Sequence, residues 1–135
     1  MNYWLMKTEP ETYSWDDLVS QKEGTWDGVR NFAARGHLKA MKKGDLAFFY
    51  HSGEQRAIVG VCKVTKEAFP DETAKEGNWV AVKVRPVAKF KTPVTLDVLK
   101  NDSLLKNMKM VKIGRLSVSP VTEKEYEKIT KLGSK

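Results

Sequence analysis

A flat ring can be gripped by aromatic faces, read along its edge by amides or hydroxyls, and anchored by cations when it carries phosphate. Residues 26–52, WDGVRNFAARGHLKAMKKGDLAFFYHS, place all three residue types in one run. Trp26 precedes a glycine-containing turn and lies outside any clear apolar periodicity, which makes it a candidate ring face. Core filling is its other reading, and the sequence leaves both open. Arg30 and Arg35 are candidate phosphate contacts, while Asn31 or Ser52 could read a ring edge. In the strand that follows, Phe48 and Tyr50 share one face and Phe49 and His51 the other, so one pair must be core.

Catalytic constellations are thin by comparison. There are two histidines, His37 and His51, and no HExxH, GxSxG or GxxxxGK[ST] pattern. His51 and Ser52 are adjacent, but neighbours on a strand point to opposite faces, which places them badly as base and nucleophile. Asp16 and Asp17 read as charge at a helix N-terminus. The single cysteine, Cys62, excludes an intrachain disulfide and any multi-cysteine metal site, and it sits in an apolar run where a thiol fills space. The expectation is therefore no catalytic residues, no metal and no cofactor. An enzyme acting on a nucleic acid or nucleotide stays open as the alternative, as does a small-molecule-binding module.

The elements that must position these residues alternate irregularly along one unit, with no repeat, low-complexity tract or linker. YWLMK (3–7) reads as a strand closed by the TEPE turn. Ser14 with Asp17 resembles a capping box ahead of a short helix. Asn31 caps a second helix, whose Ala34, Leu38 and Met41 form one stripe and which Gly44 ends. Segments 45–52, 56–69 and 79–90 are β-branched and aromatic and read as strands. Gly60, inside one of them, marks a bulge or a close backbone approach. Thr95 caps a short helix, RLSVSP (115–120) is a last strand, and Thr122 with Glu125 opens a C-terminal helix. At least five strands in one small α+β domain suggest a curled sheet or small barrel with helices packed outside.

At 135 residues the chain is one domain, large enough to bury a core. It carries 24 Lys and Arg against 17 Asp and Glu, net +7, so an anionic partner is a fair first expectation. The surplus is concentrated in segments 28–66 and 83–115. If their strands share a sheet they merge into one positive face, the footprint expected for a polyanion. An ordinary solvated lysine surface is the competing explanation. The N-terminus lacks a signal-peptide core, and nowhere are there about 18 consecutive apolar residues. A cytoplasmic protein with no membrane partner is expected, and its oligomeric state is not encoded in any pattern.

Five segments, in order, carry a family resemblance: YWLMKTEP, WDGVRNFAARGHLKAMKKGD, FFYHS, IVGVCKVTKEAFPDETA and GRLSVSPVTEKEY. They resemble the signature segments of the EVE domain family from Tyr3 to about Ile129. The resemblance implies a PUA-like fold, a small mixed β-barrel flanked by short helices, close in shape to the YTH domain that reads methylated adenine in RNA. It implies binding of a modified base in nucleic acid, with modified cytosine in DNA favoured and RNA as the other partner. Trp26 would form one wall of the base pocket and Asn31 closes the same segment. Tyr50, His51 and Ser52 would form the floor, and Phe69 and Pro70 would approach from the opposite wall. Arg115 would join Arg30 and Arg35 as a phosphate or edge contact. Phe32 stands where many relatives carry Tyr.

Overall fold

In the strand Leu46–His51, side chains alternate between two apolar layers, and both layers are buried. Phe49 faces a cluster containing Trp4, Met6, Trp15, Trp26 and Leu38. Phe48 and Tyr50 face a second one containing Leu5, Phe90, Leu99, Met110 and Ile129. Neither pair is left over for solvent, because helices cover the sheet on both sides. The computed structural model describes residues 1–135 as β1 (Tyr3–Thr8), α1 (Trp15–Gln21), β2 (Gly24–Trp26), α2 (Phe32–Ala40), β3 (Leu46–His51), β4 (Ala57–Pro70), β5 (Val80–Thr95), α3 (Leu96–Asn101), α4 (Lys109–Lys112), β6 (Val118–Val121) and α5 (Glu123–Gly133), with a single 3₁₀ turn at Leu105–Asn107.

One six-stranded sheet runs β2-β5-β4-β3-β1-β6. Only β1 and β3 are parallel; the other pairs are antiparallel. The α+β class is as expected, but the sheet is not a closed barrel. Its edge strands β2 and β6 are three and four residues long and do not pair with each other. The helices α2 and α4 pack against β6, and the shortness of both edge strands limits their free hydrogen-bonding groups without closure. No helix is long and apolar enough to cross a membrane.

Local chemistry explains where the helices start. The Ser14 hydroxyl accepts from the Asp17 N–H at 3.1 Å while the Asp17 carboxylate accepts from the Ser14 N–H at 2.9 Å. Thr122 and Glu125 repeat the arrangement at α5, Asn31 accepts from the Ala34 N–H at 2.9 Å, and Thr95 caps α3. Ala34, Leu38 and Met41 are fully buried, as their spacing predicts. Gly44 does not end α2. The helix stops at Ala40, and Gly44, at φ +96°, makes the turn into β3.

Gly60 meets both expectations placed on it. The β3–β4 and β4–β5 registers shift beside it, and a methyl group built there would lie 2.8 Å from the Ala88 carbonyl and from the Trp15 ring. Gly60→Ala is expected to cost about 1–3 kcal/mol by overpacking. Urea unfolding followed by tryptophan fluorescence reads it. An unchanged midpoint would mean that the Trp15 ring moves aside at no cost. Cys62 is fully buried and its thiol is pushed up to about 12 by that burial, so it is inert packing.

Candidate functional site

Where β1 gives out and the chain turns towards α1, it faces the loop that leaves β2. Between them lies a cavity of about 270 Å³, lined by Lys7 and Thr8 at the end of β1, Thr12 and Tyr13 in the turn, Trp26 through Arg30, and Ser117. Trp26 is its aromatic wall and also a core residue. It is 5% exposed and meets Phe49 and Tyr13 edge-on, with ring centroids at 5.3 and 6.0 Å. Wall and core are thus two sides of one ring.

The loop that carries this wall is fixed from a distance. Asp71, at the end of β4, accepts from the Gly28 N–H at 2.9 Å and from Arg30 Nη1 at 2.9 Å. It also accepts from the Thr73 N–H and hydroxyl at 2.8 and 2.6 Å. Burial opposes ionisation of this carboxyl. The bonds from the Thr73 hydroxyl, Gly28, Arg30 and the Thr73 N–H outweigh it, and hold Asp71 well below the usual carboxylate range. Gly28, at φ +76°, supplies the left-handed backbone that turns its N–H onto the carboxylate. Asp27, at the cavity mouth, goes the other way: burial first, then the neighbouring Asp71 charge, raise it above its ordinary value.

Lys7 stands between this cavity and a second cleft of about 240 Å³, whose lining includes Tyr50, Ser52, Arg56 and Lys100. Its ammonium donates to the Gly114 carbonyl at 3.0 Å and lies 5.8 Å from the Tyr50 ring. Half-burial lowers its pKa from the ordinary lysine value. The two basic segments do meet here, since Arg56 belongs to one and Lys100 to the other. Lys7 lines both depressions, and Arg30 lines the first beside Asp27.

Other candidate residues are dispersed. Asn31 spends its side-chain oxygen on capping α2 and lines a separate hollow with Arg115 and Lys109. His51 is buried: its Nε2 accepts from the Trp15 N–H at 3.0 Å, which makes Nδ1 the donor to Gln55 at 2.7 Å. Both ring nitrogens therefore serve the fold. Phe69 lies beneath the Lys66 ammonium in a hollow that shares Thr25 and Asp27 with the Trp26 cavity, and Pro70 ends β4 as an exposed residue. Arg35 packs against rings outside the cavity, with its guanidinium 4.9 Å from Phe32 and 5.0 Å from Trp79.

Lys7, Tyr13, Ser117 and Asp71 were not singled out from sequence. Lys7 interrupts the apolar run YWLM, and a cation at that point was the available signal. Nothing local marked Asp71 as the anchor of a loop some forty residues earlier.

The sequence matches the EVE domain family over residues 2–132. The chain belongs to that family. Thymocyte nuclear protein 1 of Rattus norvegicus is 41% identical to this EVE domain, over 97% of the chain and 73% of the rat protein. The crystal structure of a protein from Agrobacterium tumefaciens superposes with a TM-score of 0.95 at 41% identity, covering 98% of this chain and 93% of that one. The human THYN1 protein, solved in complex with DNA containing 5-methylcytosine, superposes on the EVE domain with a TM-score of 0.92. It is 36% identical, covering 100% of this chain and 99% of that one.

Proposed function

We propose that this EVE domain is a non-catalytic reader of a modified base in nucleic acid, with modified cytosine in DNA as the favoured ligand. The observation that carries the reading is the cavity walled by Trp26 with Lys7 and Arg30 at its rim. Its volume of about 270 Å³ falls just below the clefts that take drug-sized molecules, which suits a single ring and little more. The ligand in the human THYN1 structure supports the choice of base. In this reading an extruded base enters between Trp26 and the Thr8–Tyr13 turn, hydroxyls and the Asp27 carboxyl offer edge contacts, and phosphates follow Arg30, Lys7, Arg56 and Lys100. Asn31 and Arg115 extend the cationic surface on the far side of α2. Tyr50, His51, Phe69 and Pro70 support neighbouring structure, and Ser52 lines the adjoining cleft.

Magnitudes set what a titration should show. One extra buried methyl is worth about 0.8 kcal/mol, so a 5-methylcytosine oligonucleotide should bind about fourfold more tightly than its unmodified twin. Extruding a base from a duplex costs a few kcal/mol, so single strands should bind better than duplexes. Log affinity should fall with log salt by roughly 0.7–0.9 per phosphate engaged. Fluorescence anisotropy with DNA and RNA versions of one sequence measures all of this. Binding that ignores salt would remove nucleic acid as the partner, and an RNA preference would overturn the choice of DNA. Mass spectrometry of oligonucleotides after long incubation should recover them unchanged; base loss or cleavage would favour the enzyme.

A further inference from the structure

Phe32, the first residue of α2, is 72% exposed, yet its ring is not loose. It stacks on Trp79 with centroids 5.3 Å apart and planes inclined by 23°. The Arg35 guanidinium lies against both rings and donates to the Asn78 carbonyl at 3.4 Å. The Arg30 guanidinium lies 5.6 Å from the Trp79 ring centroid, and the same arginine lines the cavity, so one side chain borders both the ring stack and the cavity. The Asn31 cap fixes where α2 begins and therefore where Phe32 projects. A ring held this way presents a rigid apolar face among cations, and that pairing suits a flat apolar ring attached to phosphate.

We propose that the outward face of Phe32 is a second nucleobase subsite, taking the base next to the one in the Trp26 cavity. The proposal rests on the reading of that cavity as the base site. The incoming base extends the Trp79–Phe32 stack by one ring, while Arg35 and Arg30 face the phosphates that connect it to the pocketed nucleotide. Stacking of this kind tolerates any base, so the subsite adds affinity and fixes strand register without adding sequence preference. A Tyr side chain would present the same face.

The test uses a short single-stranded DNA with one 5-methylcytosine, in three versions: intact, abasic on the 5′ side of the modified base, and abasic on its 3′ side. Parent, Phe32→Ala and Phe32→Tyr are titrated with each. Phe32→Ala should bind the intact strand about tenfold more weakly, with its melting temperature close to the parent's. One abasic strand should weaken the parent by a similar factor and leave Phe32→Ala no weaker than on the intact strand. Phe32→Tyr should match the parent throughout. If Phe32→Ala binds as well as the parent, or loses the same factor on all three strands, the subsite is overturned while the cavity reading stands. A parent indifferent to both abasic strands overturns it too, without recourse to any variant. A parent that binds none of the three overturns both readings.

Discussion

Trp26→Ala is expected to lower the unfolding free energy by about 3–5 kcal/mol, the usual cost of deleting a buried aromatic ring. The ring is almost wholly buried, and Phe49 and Tyr13 both meet it edge-on, so its loss opens a void in the larger apolar cluster. Because the same ring walls the cavity, binding should fall as well, by about ten- to a hundredfold where the variant remains folded. Trp26→Phe separates the effects: it retains most of the packing and offers a smaller face, so binding should suffer more than stability. Thermal melts and titrations with a 5-methylcytosine oligonucleotide on both variants check this. A stable Trp26→Ala protein would show that the cluster closes over the void, and full binding by it would move the base site elsewhere.

Asp71→Asn should have the next largest effect, and a pH-dependent one. The asparagine keeps the shape but loses the charge, and its amide cannot accept all four bonds from Gly28, Arg30 and Thr73. Arg30 is 39% exposed, so solvent screens the ion pair and its share is small. Replacing the buried carboxylate by a neutral amide weakens the charge-assisted bonds from Gly28 and Thr73, at a cost of about 1–3 kcal/mol. The folded carboxyl is depressed below the unfolded value of about 3.9. Its contribution is therefore fully present above that value and is lost as pH falls below it towards the folded pKa. Parent and variant should differ most in chemical unfolding at pH 6–7 and converge as the pH drops to about 2. Equal stability at neutral pH would show that the Trp26–Arg30 loop does not depend on its carboxylate anchor. If the anchor matters as described, oligonucleotide affinity should drop along with stability, since Gly28 and Arg30 both line the cavity.

Features that depend on neighbours in the chain were legible without the fold. The caps at Ser14, Asn31, Thr95 and Thr122 are set by a side chain and an amide three residues on. Alternation in LAFFYH assigned Phe48 and Tyr50 to one layer and Phe49 to the other, because strand geometry leaves no choice. The close approach at Gly60 and the inert Cys62 followed from residue type within an apolar strand. The strand Gly24–Trp26 was not legible: three residues carry no period, and pairing with β5 alone makes them a strand. Sequence could say that one face of β3 must be core, but not that helices would bury the other face too. Nor could it say that the sheet would stop at β6 rather than close.

The candidate site divides along the same line. Five ordered segments fixed the family, and with it the fold class and the residue types a base site needs. Which of those residues meet was decided by contacts between elements far apart in the chain. His51 is committed to the Trp15 N–H and the Asn31 side-chain oxygen to a helix start, whereas Arg30 is held by Asp71 through Nη1 and stays partly exposed at the cavity. A histidine, an amide or an arginine has the same chemistry whether it faces a ligand or another group of the protein. Only the tertiary structure says which of the two lies within hydrogen-bonding distance.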